Sequence, residues 1–429
     1  MDHYLTAYGE AIKALFARTT NDTKLGLERT QALMSLLGCP HSALTAIHVA
    51  GTNGKGSVVA TAEALLRARG QRVGRYTSPH LIDFRERITV NGVPISEEGV
   101  LEFLERWLPT AEELGATFFE LTTALAFSWF AEQAVDIAVV ETGLGGRLDS
   151  TNVLVPKVAV VTSIGLDHTD LLGSTLPEIA REKAGIFKRN VAAVIGEQAP
   201  DIRDLLTRTA RDVGADPILV VDEAYLIGAP RPSARGTTFP LRRGTETAEV
   251  TTPLVGDHQA RNTTIAIAAV SALAAEYYPE LFWVSAALES VFLPGRFQRH
   301  GKYIFDVAHN PAGARTVADT LLALKTPAPR TAVVSVLADK DWRGIIRTLA
   351  PAVDRFVFTS APSATPDRAW DPARADAFAR DEGYATELVP DFDAALLRAD
   401  KRSGTVIFTG SFHTVGDAMA RLQVSPFAA

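Results

Sequence analysis

The sequence predicts a two-domain α/β protein: an N-terminal domain on a parallel sheet with a small antiparallel edge sheet, then a smaller α/β domain. Three observations predict it. Short β-branched runs alternate with helix-length segments, a glycine-rich loop joins the first run to an amphipathic stretch, and the alternation restarts after a Pro/Gly junction. At 429 residues the chain also exceeds the size at which a single hydrophobic core stops growing.

The elements follow in order. The opening "MDHYLTAYGEAIKALFARTT" mixes charges with its apolar residues and lacks an uninterrupted apolar core, so no signal peptide is expected. "TAIHVA" (45–50) reads as the first strand. After the loop "GTNGKGS" (51–57), Val58, Val59, Ala62, Leu65 and Leu66 recur at helical spacing, which starts a helix at the loop itself. "VDIAVVE" (135–141), "KVAVVTSI" (157–164), "VAAVIG" (191–196) and "PILVVD" (217–222) continue the parallel sheet. From about 225 to 255 short alternating stretches and turn residues, as in "GTTFPLRRGTETAEVTTPLVG", read as antiparallel hairpins at one edge. The helical segment that follows to about 290 includes "IAIAAVSALAA" (265–275), too short to span a bilayer and read as a packed helix. "FLPGRFQRHG" (292–301) marks the domain boundary, dividing the chain into 1–295 and 296–429. Strands then resume with "KYIFDVA" (302–308), "TAVVSVLA" (331–338), "DRFVFTS" (354–360) and "GTVIFTGS" (404–411).

Composition narrows the function classes. A formal charge of -7 offers no basic footprint, so neither a nucleic acid nor an anionic membrane is an expected partner. Cys39 is the only cysteine, which excludes an intrachain disulfide framework and fits a reducing, cytoplasmic setting.

Chemistry concentrates at predicted strand ends. In Gly51-Thr52-Asn53-Gly54-Lys55-Gly56-Ser57, backbone N–H groups at a helix start, a lysine and a hydroxyl suit phosphates and Mg²⁺, although Gly56 breaks the usual spacing between the lysine and the hydroxyl. "VVETGLGGRLDSTN" (139–152) ends a strand in Glu141, where a carboxylate points into the crevice of such a sheet. "TSIGLDHTD" (162–170) brings Asp167, His168 and Asp170 to the next strand end. "YTSPHLIDFRERITVNG" (76–92) carries Ser78 and Arg87, a surface hairpin by its own pattern, and Lys183 in "LPEIAREKAGIFK" (176–188) reads by itself as a solvated lysine. In the second domain "FDVAHNP" (305–311) and "TGSFHTVGDA" (409–418) place Asp306, His309, Asn310 and Ser411 at strand ends, as helix caps or ligand contacts.

The ordered set "AGTNGKGS", "TSPHL…FRERI", "ETGLGGRLDSTN", "TSIGLDHTDLLG", "REKAGIFK", "LPGRF", "DVAHNP" and "TGSFHTV" spans residues 48 to 415 and closely resembles the folylpolyglutamate synthase/dihydrofolate synthase family of the Mur ligase superfamily. That family's loop is G-T-N-G-K-G-[ST], so the irregular spacing is its expected form. The resemblance implies a P-loop ATPase-like N-terminal domain, a Rossmann-like C-terminal domain and an active site in the cleft between them. It implies ATP-dependent amide formation: a folate or dihydropteroate carboxylate is activated as an acyl phosphate and then attacked by the amine of L-glutamate.

The resemblance also implies the residue roles. Gly51, Thr52, Asn53, Gly54, Lys55, Gly56 and Ser57 hold ATP phosphates, with Lys55 offsetting charge on the transferring group, and Asn262, Arg296 and Asp306 complete the nucleotide site. Ser57 and Glu141 serve one Mg²⁺, and Ser78, Glu141 and His168 a second. Lys183 matches a lysine carried as a carbamate, and dependence on a monovalent cation is left open by the sequence. Arg87, His309 and Ser411 hold the incoming glutamate. The pterin and aminobenzoate groups fall near "KLGLER" and "TFFELT", with Lys24, Gly26, Phe119, Glu120 and Leu148 as the contacts. The enzyme is expected to act as a monomer.

Lys24 stands where bifunctional bacterial members often carry an acidic residue, whereas "SPHL" and "GSFHTV" match the bifunctional type. Both activities are expected, with polyglutamylation alone as the alternative. A muramoyl-peptide ligase is disfavoured because only 47 residues precede "HVAGTNGKGS", and a P-loop switch ATPase leaves Arg87, Lys183 and Ser411 without a joint role.

Overall fold

The computed structural model describes residues 2–17 and 26–428. Eight strands form the first sheet: β1 (Ala46–Ala50), β2 (Val73–Tyr76), β3 (Ile88–Val90), β4 (Val93–Pro94), β5 (Ile137–Glu141), β6 (Val158–Val161), β7 (Ala192–Ile195) and β8 (Ile218–Val220). Their spatial order is β4-β3-β2-β5-β1-β6-β7-β8, parallel from β2 to β8 and antiparallel at the β3 and β4 edge. The central strands are buried on both faces, which is why they read as continuous apolar runs. Ile47 and Val49 of β1 face the helices Lys55–Ala68 and His258–Ser271, while Ala46 and Ala50 face the opposite layer. That layer contains the helices Glu97–Glu113, Phe118–Glu132, Leu176–Ala184 and Pro200–Val213.

The helix Lys55–Ala68 is buried over nearly its whole circumference, not only on the face its apolar spacing marks. It lies between the sheet and the helix His258–Ser271, so alanines and Thr61 pack where a surface helix would carry charge. Strands β9 (Tyr225–Ile227), β10 (Arg231–Ser233), β11 (Gly236–Arg243) and β12 (Glu246–Thr252) form a separate four-stranded antiparallel sheet. Phe239, Leu241 and Val250 anchor it to the first domain's core.

The second domain is a six-stranded sheet of β13 (Gln298–His300), β14 (Tyr303–Phe305), β15 (Arg330–Val334), β16 (Arg355–Phe358), β17 (Thr386–Leu388) and β18 (Thr405–Thr409), ordered β13-β14-β18-β15-β16-β17. Only β13 is antiparallel to its neighbour. Helices Pro311–Ala323, Trp342–Leu349 and Pro372–Asp381 cover one face, and Phe392–Asp400 and Phe412–Arg421 the other.

In open sheets of this kind ligands bind beyond the carboxyl ends of the strands. In the first sheet β1, β5 and β6 are neighbours and end at Gly51, Glu141 and the segment 162–168. In the second, β14, β18 and β15 are neighbours and end at Asp306, Gly410 and Ser335. No described helix is long and apolar enough to cross a membrane.

Candidate active site

The loop after β1 is shaped by two glycines. Gly51 has φ +152°, and a Cβ there would sit 1.8 Å from Thr162 Oγ1; Gly54 has φ +89° and caps the next helix in the left-handed region. No side chain caps that helix start, so its first N–H groups are presented at the positive end of the helix dipole. The loop is tied to the segment after β6: Thr52 N donates to Ser163 O at 2.7 Å, Gly165 N to Thr52 Oγ1 at 3.0 Å, and Thr162 Oγ1 to Asn53 O at 2.7 Å.

Two lysines converge on one carbonyl. Lys55 Nζ donates to Gly51 O at 3.1 Å and to Thr52 O at 3.4 Å, and Lys183 Nζ reaches the same Gly51 O at 3.0 Å. Lys183 is buried near the end of the helix Leu176–Ala184, and burial followed by the charge of Lys55 lowers its pKa to about 7. Glu141 lies beside them, 3.8 Å from Lys55 Nζ, with Ser78 N donating to it at 3.5 Å. Burial raises its pKa, against the opposing charges of Lys55, Arg296 and Arg87. Ser57 is buried in the first turn of the helix Lys55–Ala68.

A buried carboxylate whose nearest cation, Lys55 Nζ, stands 3.8 Å away, and which faces a phosphate loop, fits a divalent cation that would take up its remaining charge. Among the described residues no three His, Cys, Asp or Glu side chains gather as a self-sufficient metal cage. That sparse donor set suits Mg²⁺, which keeps waters and phosphate oxygens in its shell. Of the predicted ligands, Ser78 lies beside Glu141, Ser57 sits in the first turn of the loop helix, and His168 Nε2 lies 3.3 Å from Lys340 Nζ.

The second domain meets this surface at Asp167 and at Asn53. Asp167, 9% exposed in its side chain, accepts from Lys340 Nζ at 2.5 Å and lies 3.3 Å from His309 Nε2. Asn310 Nδ2 reaches it at 3.4 Å and also donates to Asn53 Oδ1 at 3.2 Å. Burial opposes the charge on Asp167, yet the hydrogen bond and charge of His309, with Lys340 and His168, hold the carboxyl well below its usual range. His168 is lowered to about 4 by burial and by Lys340, whose Nζ is 3.3 Å from its Nε2.

The remaining predicted residues are placed as follows. Arg87 is buried, donates to His80 Nδ1 at 2.7 Å and lies over the Phe118 ring. Arg296 lies over the Phe412 ring with Asp306 and Glu141 in electrostatic reach. The Asp306 carboxylate accepts from the backbone of Phe297 and Ala308, both at 2.9 Å. Asn262 donates to Gln259 at 3.1 Å and crowds Gly54. Ser411 Oγ caps the helix Phe412–Arg421 through Thr414 N at 3.0 Å.

Phe119, Glu120, Leu148 and Gly26 stand apart from these contacts. Phe119 stacks on Tyr76 and presses on Gly143. Glu120 is held by Arg29 Nη2 at 3.0 Å and caps its own helix through Thr117 N at 2.6 Å. Leu148 is half-buried, and Gly26 lies against the Glu28 side chain. Lys24 lies outside the described residues. Two polar residues of the cleft carry no assignment from the sequence. Asp167 reads in the sequence as a strand-end carboxylate beside His168, and Lys340 lies in the loop that follows β15, with nothing in its own pattern to mark it.

Residues 49–270 match the Mur ligase middle domain, and residues 295–412 match the Mur ligase glutamate ligase domain. The dihydrofolate synthase/folylpolyglutamate synthase of Bacillus subtilis is 35% identical over 439 residues, covering 97% of this chain and all of that one. The Mycobacterium tuberculosis folylpolyglutamate synthase complexed with ADP superposes with a TM-score of 0.88 at 33% identity, over 98% of this chain and 99% of that one. A bifunctional folylpolyglutamate synthase/dihydrofolate synthase with Mn, AMPPNP and L-glutamate bound superposes at 0.82 and 32% identity, over 96% of this chain and 98% of that one.

Proposed function

The chain belongs to the Mur ligase family, in its dihydrofolate synthase/folylpolyglutamate synthase branch, and from that membership we propose how its own residues divide the work. The enzyme is an ATP-dependent carbon–nitrogen ligase that joins L-glutamate to the carboxylate of a folate or dihydropteroate. A substrate carboxylate oxygen attacks the γ-phosphorus and the bond to ADP breaks, giving an acyl phosphate. The glutamate amine then attacks the acyl carbon, the carbon–oxygen bond to phosphate breaks, and the amine loses its proton.

The phosphate loop 51–57 binds the triphosphate through its N–H groups, and Lys55 moves from its loop carbonyls to the transferring oxygens. Asn262, Arg296 and Asp306 bind the rest of the nucleotide, and Arg87, His309 and Ser411 orient glutamate with its amine toward the acyl carbon. A divalent cation held by Ser57, Ser78, Glu141 and His168, in up to two positions, screens the repulsion between carboxylate and triphosphate when bound. Lys183 adds CO₂ as the neutral amine and loses a proton, which gives an anionic oxygen donor beside the loop. Lys24, Gly26, Phe119, Glu120 and Leu148 border the pterin and aminobenzoate groups. The reading includes a monovalent cation as an activator, a monomeric catalytic unit, and a cytoplasmic setting, where ATP is supplied.

The observation that carries this reading is the meeting of Lys55, Lys183 and Glu141 at one loop that the second domain's His309 and Asn310 face across the cleft. Lys55→Ala tests it. Folate- and glutamate-dependent ADP release is expected to fall by at least about 10³-fold with the fold retained, and unchanged turnover would remove the loop from the chemistry.

A further inference from the structure

Asp167 and Lys340 have no part in the roles above, yet they form the tightest polar contact across the cleft. The ammonium of Lys340 is 2.5 Å from Asp167 Oδ1, with side chains only 7% and 9% exposed. Both ends are braced. Lys340 sits in a loop held by its N–H on Leu337 O at 3.0 Å, by Ala338 N on Arg368 O at 3.0 Å and by the Asp339–Arg368 ion pair at 3.1 Å. Asp167 Oδ1 also accepts from His168 N at 2.9 Å, and its segment is bonded to the phosphate loop through Ser163 and Gly165.

Three residues of the cleft depend on this pair. His309 faces Asp167 with Nε2 and the carbonyl of Val307 with Nδ1 at 3.0 Å, so the carboxylate and the carbonyl together fix the ring plane. Asn310 is shared between Asp167 and Asn53 of the phosphate loop. His168 receives Lys340 at 3.3 Å on Nε2. A displaced Asp167 carboxylate would therefore release groups from both domains at once. We propose that Asp167 and Lys340 are positioning residues that lock the second domain's glutamate-binding groups in register with the phosphate loop, an inference that rests on the ligase reading above.

The test compares Asp167→Asn, Lys340→Met, the double variant and Lys340→Arg in the full chain, with glutamate and ATP varied separately and ADP affinity measured by calorimetry. Each of the first two is expected to lower kcat/KM for glutamate by about 10- to 100-fold, as for a small misplacement of a reacting group, with ADP affinity within about threefold of wild type. The double variant should be no worse than the weaker single, because the contact that couples the two residues is already lost in either single, and Lys340→Arg should recover part of the loss. Additive losses, an unchanged glutamate dependence, or a parallel fall in ADP affinity would overturn the pair as positioning residues. Absence of any glutamate-dependent turnover in the wild type is a separate failure and would overturn the ligase reading itself.

Discussion

Lys183 carries the chemical argument at the residue scale. Its ammonium would be buried 3.0 Å from a carbonyl and close to Lys55, so both burial and a like charge favour the neutral amine. The folded pKa, near 7, lies below the ordinary lysine value of 10.5. The sign follows: the folded site binds fewer protons than the unfolded chain between these values, so protonation at this site opposes folding most below pH 7, and that cost fades as pH rises toward 10.5. Carbamate formation needs the neutral amine, so activity measured with bicarbonate present should rise through pH 7, and depleting CO₂ should depress it. Lys183→Ala is expected to lose at least about 10²-fold in turnover, partly restored by formate or acetate supplying the missing oxygen donor. Wild-type activity in that variant would remove the carbamate. None of this was legible at the residue itself, because a lysine on an amphipathic helix is ordinarily solvated. Only the family motif pointed to it, and the fold explains why it is buried.

Elements were legible where the sheet is double-covered and obscure at its edges. The runs that became β1, β5, β6 and β7 are buried on both faces and announce themselves as apolar stretches. Strand β2 escaped because "VGRY" holds a glycine pressed against Phe130 and an arginine paired with Glu63 at 2.8 Å, and β17 because its three residues are only half-buried. The hairpin texture at 225–255 was read correctly as antiparallel, but those strands form their own sheet while the main sheet's antiparallel edge comes from β3 and β4. Two glycines test the elements around the site. Gly51→Ala would place a methyl 1.8 Å from Thr162 Oγ1 in left-handed backbone, and thermal unfolding should show a loss of about 1–3 kcal/mol together with weakened nucleotide binding. Gly416 lies in the helix Phe412–Arg421, and a Cβ there would meet the backbone oxygen of Leu81 in the first domain at 2.1 Å. Gly416→Ala should therefore pry the domains apart, raising the KM for glutamate and weakening ADP binding as well, because Arg296 and Asp306 move with the second domain. An unchanged KM would show that the two domains tolerate separation along this contact.

The whole molecule is two α/β domains whose strand ends face one another, and neither domain carries the proposed site alone. The first supplies the phosphate loop, Glu141 and Lys183; the second supplies Arg296, Asp306, His309 and Ser411. Strand ends could be read from the sequence one at a time, but their meeting could not, since Lys340 and Asp167 are 173 residues apart and follow strands of different sheets. The central claim is that this closed arrangement makes an amide at the expense of ATP. The most direct measurement is ADP release by the purified protein with Mg²⁺-ATP and L-glutamate, comparing 7,8-dihydropteroate, tetrahydrofolate and no folate, with products weighed by mass spectrometry. One glutamate added to both acceptors, with ADP release dependent on acceptor and glutamate, is the predicted result. ADP release indifferent to every folate and to glutamate would contradict it.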